Sequence, residues 1–196
     1  MLSFALAILF LISTPGPGVL TTAGVGAAFG FRPGLRYVTG LGIGNNLVSL
    51  AVVTGLAAFV FGLPGLRTTL VIASAAYLAY LAFRIAYSGS EIAFIKATAP
   101  PGVMNGIMLQ FINPKAYVVA TTLFSGFAFL SENPWAEAMI KFAIINLVWI
   151  PIHLVWLWAG VSVNRLALSQ RTQRRINFAM AGALIVVALL AVFAPT

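Results

Sequence analysis

The hydrophobic positions of this chain form long runs, unlike the alternating or one-sided patterns of water-soluble strands and helices. A helix needs about 20 apolar residues, at ~1.5 Å rise each, to cross the hydrocarbon core of a bilayer. Glycine, proline and charged residues divide the sequence into runs of about this length or longer. The pattern therefore predicts six transmembrane helices, at residues 2–31, 37–61, 68–87, 103–129, 135–161 and 176–193.

The composition supports a membrane protein. Of 196 residues, 61% are hydrophobic and 7% are charged, whereas a soluble domain has roughly 45–50% apolar and 25% charged residues. Six spans with short loops leave little chain for an extramembrane domain. We therefore expect an all-α integral membrane protein with one multi-pass membrane domain. No Lys or Arg precedes the first apolar run, so we expect that run to remain as a helix rather than be cleaved as a signal peptide.

The formal net charge of +8 would suggest a nucleic-acid partner in a soluble protein. Here the basic residues lie mostly at the ends of apolar runs, where the positive-inside bias explains them, so we expect no nucleic-acid partner. Loops one, three and five carry more of these residues than loops two and four, which predicts cytoplasmic odd-numbered loops and both termini outside. The odd-numbered loops carry Arg32, Arg36, Arg84, Lys96, Arg165, Arg171, Arg174 and Arg175, and the even-numbered loops carry Arg67 and Lys141.

The two halves of the chain share landmarks about 100 residues apart. Residues 1–87 and 103–196 each hold three predicted spans, and the polar segment 88–102 links them. Since three is odd, the second half enters the membrane in the opposite sense, which makes an inverted 3+3 repeat of the kind found in many secondary transporters. The matched landmarks are Pro15 with Pro114, Pro33 with Pro134, and Asn45 with Asn146.

The first span is interrupted by a Ser-Thr-Pro-Gly-Pro-Gly sequence. Each proline costs about 3 kcal/mol in a helix interior, and unpaired backbone groups in lipid cost several more, so the break must face protein or a wet cavity. A half-helix that begins after the break offers its amides to an anion. We predict a substrate-binding role for Thr14, Pro15, Gly16, Pro17 and Gly18.

The fourth span carries a matching interruption, Asn113-Pro114-Lys115. Asn113 is suited to cap a second half-helix and Pro114 to its first turn. Lys115 lies well inside the span, where a lysine costs ~2.5–3.5 kcal/mol on insertion scales and by default indicates function. These three residues complete the predicted break site. The structural alternative is that Lys115 snorkels or binds free carbonyls of the break.

Other polar side chains inside the spans are either site residues or packing groups. We predict a site role for Asn45 and Asn146, because the repeat pairs them. His153 is the only histidine and, with Lys115, is a candidate for proton coupling, although a packing group near a span end is the alternative. We expect helix-to-helix hydrogen bonds from Asn46 and Gln110, and close helix contact at the glycine pairs Gly26/Gly30 and Gly40/Gly44.

At both breaks the sequence resembles the LysE/RhtB family of amino-acid exporters. Members typically carry Thr-Pro-Gly-Pro in helix one and Asn-Pro-Lys-Ala in helix four, which match residues 14–17 and 113–116. The resemblance extends over nearly the whole chain. It implies export of amino acids or similar metabolites across the bacterial inner membrane, driven by the proton gradient. Further agreement lies in residues 30–34, Gly40 with Gly44, Gly55-Leu56, and residues 77–81 before Arg84.

One position departs from the family pattern. Many members have an acidic residue just after the helix-two glycines, where this sequence has Asn45. All three Glu lie in or beside predicted loops, so we expect no buried carboxylate to balance a dicationic substrate. Neutral zwitterions are therefore the favoured substrates.

We expect a secondary active exporter in which the two halves rock around the breaks. The alternatives are a channel or facilitator for small polar solutes, and an intramembrane hydrolase. The chain has no Asp, no Cys and no HExxH motif, so we expect neither an enzyme nor a metal or cofactor site. The expected partners are a small-molecule substrate, the bilayer and protons. The sequence leaves open whether the chain forms a homo-oligomer.

Overall fold

The structure, a computed structural model, describes residues 2–13, 16–56, 65–87, 99–130, 132–165 and 170–193. The described residues are helical, without a strand among them, which confirms the all-α prediction. Most of the linker 88–102, including Lys96, lies outside these ranges. The helices are α1 (Leu2–Ser13), α2 (Pro17–Phe29), α3 (Phe31–Val53), α4 (Leu66–Ala86), α5 (Val103–Ile112), α6 (Pro114–Ser125), α7 (Pro134–Arg165) and α8 (Gln170–Phe193).

Within the described ranges, one helical stretch, Pro134–Ser162 in α7, is long and apolar enough to cross a membrane. The pair α1 and α2 would make a second span if it is counted as one helix bent by 48°. Large apolar side chains face outward on these helices, including Phe10 at 74% exposure and Leu147 at 73%. Such exposed apolar surface is typical of a face that meets lipid.

Three helices extend beyond the apolar runs that flank loops one and five. α3 begins at Phe31, α7 ends at Arg165 and α8 begins at Gln170, so basic residues assigned to these loops lie in helix ends instead. Arginine is a good helix former, and a continued helix pairs backbone groups that a loop would leave free. Pro33 fits near the start of α3 because amides of a first helical turn have no intrahelical partner. The reassigned residues are Arg32, Arg36, Arg165, Arg171, Arg174 and Arg175.

Gly30 forms the corner between α2 and α3. Its φ of 83° and ψ of −175° belong to a region that essentially only glycine adopts. A Cβ at Gly30 would meet nothing within 4 Å, so conformation rather than close packing explains this glycine. The expectation that Gly30 joins Gly26 in a helix contact is therefore wrong.

The most extensive helix contacts are α2 with α7, α3 with α5, and α4 with α8. In the first two, the backbone of one helix contacts a glycine of the other, which allows an approach that any side chain would prevent. This confirms the close contact expected at Gly26, Gly40 and Gly44. A Cβ would meet Leu157 O at Gly26, Ala23 O at Gly160, Val103 O at Gly40, Ile107 O at Gly44 and Tyr37 O at Gly106.

A buried ion pair lies near the start of α7 and is hydrogen-bonded to the end of α6. Lys141, predicted to lie in loop four, is inside α7 and 1% exposed, and its Nζ lies 2.7 Å from Glu137 Oε1. The ammonium also donates to Phe124 O at 2.8 Å, and Glu137 Oε2 accepts from the amides of Phe129 and Leu130. Glu137 is 8% exposed. The expectation of no buried carboxylate is therefore wrong, although the spacing of four residues between Glu137 and Lys141 was the available signal.

We expect Lys141→Met to lower the free energy of unfolding, because the change removes the charge partner of the Glu137 carboxylate. The double variant Lys141→Met, Glu137→Gln should recover most of this loss, since a neutral amide still accepts from the backbone. Denaturant unfolding in detergent micelles measures both. Arg171→Met, at an exposed site, is the control; a Lys141→Met variant as stable as this control would contradict the prediction.

Candidate functional site

The first break precedes α2. Gly16 is the N-cap, with extended backbone at φ −156° and ψ −179°, and Pro17 is the first helical residue. The Gly16 carbonyl accepts the first helical hydrogen bond, from Leu20 N at 3.1 Å. A first turn leaves its amides without intrahelical partners, and proline at N1 removes one of them. Thr14 and Pro15, both predicted site residues, lie outside the described residues.

The second break separates α5 from α6. Asn113 is extended at φ −83° and ψ 105°, and its Oδ1 accepts from Lys115 N at 3.1 Å. Pro114 occupies the first helical position. The predicted roles of Asn113 as cap and Pro114 as first-turn residue are therefore confirmed. The Asn113 Nδ2 donates to Gln110 Oε1 at 2.9 Å, so Gln110 bonds across the break within its own span rather than to another span.

The Lys115 side chain brings the two breaks together. A Cβ added to Gly16 would lie 2.7 Å from Lys115 Cδ and 3.1 Å from Lys115 Nζ. The lysine stem therefore packs against the backbone of the first break, and its ammonium lies close to the start of α2. A cation and two helix N-termini in one place make a region that attracts an anion.

A cavity of about 60 Å³ lies where the breaks meet. One water needs roughly 10–15 Å³, so this space is large enough for a few waters or one small solute. Its wall combines polar side chains with aliphatic ones and, among the described lining residues, includes no carboxylate. The lining residues are Leu11, Ile12, Gly16, Gly18, Val19, Asn45, Ser49, Gln110, Asn113, Lys115, Ala116, Val119, Ala120, Leu123, Ile145, Trp149 and His153.

His153 faces the cavity from α7. Its ring stacks on Trp149, with 3.6 Å between centroids and 16° between planes, and its Nδ1 lies 2.9 Å from Trp149 O. A Cβ at Gly18 would be 3.4 Å from His153 Nε2, so the ring also borders the start of α2. Because α7 continues to Arg165, His153 lies deeper in its helix than predicted. Trp149 was not identified from the sequence, although its spacing of one turn from His153 would have shown it.

α3 contributes Asn45 and Ser49 to the cavity wall. The two residues are four apart, so they lie on one helix face. Asn45 was predicted as a site residue. Ser49, which is 4% exposed, was missed, although its spacing from Asn45 was the available signal.

The other predicted asparagine, Asn146, lies elsewhere. Asn46 Nδ2 donates to Asn146 Oδ1 at 2.9 Å, and Asn146 Nδ2 donates to Asn46 Oδ1 at 2.8 Å. Each amide also donates to the carbonyl four residues earlier in its own helix, Gly42 O and Phe142 O respectively. This confirms the helix-to-helix bond expected of Asn46. The partner of Asn146 is thus Asn46, 100 residues away, rather than Asn45.

Asn46 and Asn146 line a second, mainly apolar groove of about 660 Å³ between α3 and α7. Trp149 borders both this groove and the central cavity. A Cβ at Gly42 would lie 3.4 Å from the Trp149 ring, so the indole closes the space between α3 and α7. Trp149 therefore separates the polar cavity from the apolar groove.

A known protein family matches this chain. The family described as LysE type translocator matches residues 9–194, which include both breaks and nearly the whole chain. No curated protein and no solved structure gives a significant match. The match confirms the resemblance found at the two breaks, and the family consists of inner-membrane transporters rather than enzymes. The chain therefore belongs to the LysE type translocator family.

Proposed function

We propose that this chain is a secondary active exporter of amino acids or related small zwitterionic metabolites that works by alternating access in the bacterial inner membrane. The observation that carries the proposal is the contact of Lys115 with Gly16 beside the cavity. The ammonium and the helix N-termini suit the carboxylate of a zwitterion, and side-chain and backbone oxygens of the wall suit its ammonium.

We propose six spans in two inverted halves, residues 1–87 and 103–196, with both termini outside. The pattern of helix contacts supports this arrangement. The first span of each half packs on the second span of the other half, through α2 with α7 and α5 with α3, and the third spans, α4 and α8, pack together. A two-fold axis between the halves would produce this exchange. The reciprocal Asn46–Asn146 bonds have the symmetry expected on such an axis.

The same contacts supply an argument for alternating access. In the proposed topology, the tight contacts of α2 with α7 and of α3 with α5 lie on the cytoplasmic side of the breaks. Their two-fold counterparts, α3 with α6 and α1 with α7, lie on the outer side and are much less extensive. If the two halves exchanged these conformations, the contacts on the outer side would become the extensive ones. The cavity would then be closed to the outside and open to the cytoplasm.

We propose that the transported proton binds Lys115 or His153. Both side chains line the cavity, so a proton on either would change the charge that the substrate meets. Glu137 is less suited, because Lys141 and two backbone amides already occupy its carboxylate.

Replacing Lys115 tests the anion site. We expect Lys115→Ala to reduce amino-acid efflux at least tenfold, because a lost charged hydrogen bond costs about 1.5–3 kcal/mol. We expect Lys115→Arg to be impaired as well, since the planar guanidinium is bulkier than the ammonium packed against Gly16. Efflux from loaded cells measures both. Wild-type rates in both variants would remove Lys115 from the mechanism.

Gly16→Ala should also reduce efflux at least tenfold, because the new methyl group would displace the Lys115 side chain. The matched control is Gly182→Ala, where a Cβ meets nothing within 4 Å. Combining Gly16→Ala with Lys115→Ala should add little further loss, since both changes act on one interaction. Full additivity would show that the two residues act independently.

Thiol labelling tests alternating access without background, because the chain contains no cysteine. We expect Ile145→Cys to react with a membrane-impermeant thiol reagent from either side, and substrate added on one side should change the two rates in opposite directions. Trp135→Cys, at an exposed position, is the control, and we expect substrate to leave its labelling rate unchanged. If substrate changes neither of the two labelling rates, the protein is a continuous pore.

Collapsing the proton gradient tests the energy source. We expect a protonophore to abolish efflux against a concentration gradient while leaving downhill exchange of labelled for unlabelled amino acid intact. Dissipating a sodium gradient is the control. Efflux against a concentration gradient that continues in the presence of the protonophore would contradict proton coupling. If efflux against a gradient is observed under no condition, a facilitator is favoured.

A further inference from the structure

The wall formed by α3 has polar groups that the protein itself does not use. Neither Asn45 nor Ser49 has a hydrogen-bond partner among the described residues, yet both line the cavity. Ser49 is 4% exposed. Polar groups of a cavity wall that make no hydrogen bond within the protein are available to a solute in the cavity. The Ser49 hydroxyl and the Asn45 carbonyl oxygen are neutral acceptors, which suit the ammonium of an amino acid.

The cavity wall also includes aliphatic side chains. Val119 and Leu123 of α6 and Ile145 of α7 line it, and Leu123 is fully buried at 0% exposure. A charged or strongly polar side chain placed there would lose its hydration without compensation. An aliphatic side chain gains about 0.8 kcal/mol for each buried CH₂.

The charge of the lining residues and the volume of the cavity restrict the class of substrate further. With no carboxylate among its described lining residues, the cavity gives a second ammonium or guanidinium no counter-charge. A second carboxylate would compete with the first for Lys115. The volume of about 60 Å³ is consistent with a small solute.

We propose that the cavity selects neutral α-amino acids with a small or medium aliphatic side chain. Lys115 binds the carboxylate, Ser49 and Asn45 bind the ammonium, and Val119, Leu123 and Ile145 contact the side chain. This inference rests on the proposed export function and names its substrate class.

Transport by the full-length protein in liposomes tests the class. Labelled alanine, valine, leucine, lysine and glutamate are the probes. We expect kcat/KM for valine and leucine to exceed that for lysine and for glutamate at least tenfold. If lysine or glutamate is preferred, the substrate class is wrong while export stands. If no amino acid is transported, the proposed function fails, and this inference fails with it.

A substitution that fills part of the cavity tests whether the size of the substrate side chain, rather than its charge, limits transport. Ala120 lines the cavity and is 4% exposed, so Ala120→Leu should occupy side-chain space. We expect this variant to lower kcat/KM for leucine at least tenfold and to change that for alanine less than threefold. Ala179→Leu, at an exposed site on α8, is the matched control. Equal losses for alanine and leucine would overturn the side-chain assignment.

A separate measurement tests whether Ser49 binds the ammonium of the substrate. We expect Ser49→Ala to raise the KM for valine about tenfold, while inhibition by 3-methylbutanoate, the deamino analogue of valine, which has a carboxylate and an aliphatic chain but no ammonium, stays unchanged. Lys115→Ala should weaken both. Ser125→Ala, at an exposed serine, controls for loss of a hydroxyl. If Ser49→Ala weakens the deamino analogue as much as valine, Ser49 does not bind the ammonium.

Discussion

The contact of the Lys115 side chain with the backbone at Gly16 joins the two helix breaks, and the polar cavity between them depends on it. Broken backbone cannot face lipid, because each unpaired amide or carbonyl there costs several kcal/mol. Placing one break against the other lets both share a single wet cavity. The lysine must then have a glycine opposite it, since any Cβ at position 16 would occupy the space of its stem. One small residue and one long cation thus fix where the cavity lies.

Glycine determines the surroundings of this cavity as well. Lipid supplies no hydrophobic force between helices, so close packing must hold the spans together. The backbones of α2 and α7 meet at Gly26 and Gly160, and those of α3 and α5 meet at Gly40 and Gly106. These contacts hold the helices that begin or end at the breaks. Since backbone contacts need no particular side-chain rotamer, such an interface can separate and re-form at low cost.

The sequence predicted the helical class, both breaks and the capping roles of Asn113 and Pro114, because proline and glycine act locally. It predicted polar partners less well. Asn45 and Asn46 are adjacent, and alignment of the halves cannot decide which of them meets Asn146, since one residue of helix rotates a side chain by about 100°. Ser49 and Trp149 were missed because neither residue type is unusual in a membrane helix. Their spacing of one turn from Asn45 and His153 made them candidates, and the packing of the helices shows that both border the cavity.

The buried polar interactions differ in strength according to where they lie. The Glu137–Lys141 ion pair, 2.7 Å long, lies within α7, and its hydrogen bonds to Phe124 O of α6 and to the amide of Phe129 hold the end of α6 and the following loop to α7 inside the second half. Between the halves, α3 and α7 share the neutral Asn46–Asn146 pair, and such amide bonds in membranes average only about 0.6 kcal/mol. The most extensive helix contacts, α2 with α7, α3 with α5 and α4 with α8, also join the two halves, so the halves are held together mainly by packing rather than by charge. The rocking proposed above would therefore separate and re-form packed helix contacts, and it would break no ion pair between the halves among the described residues.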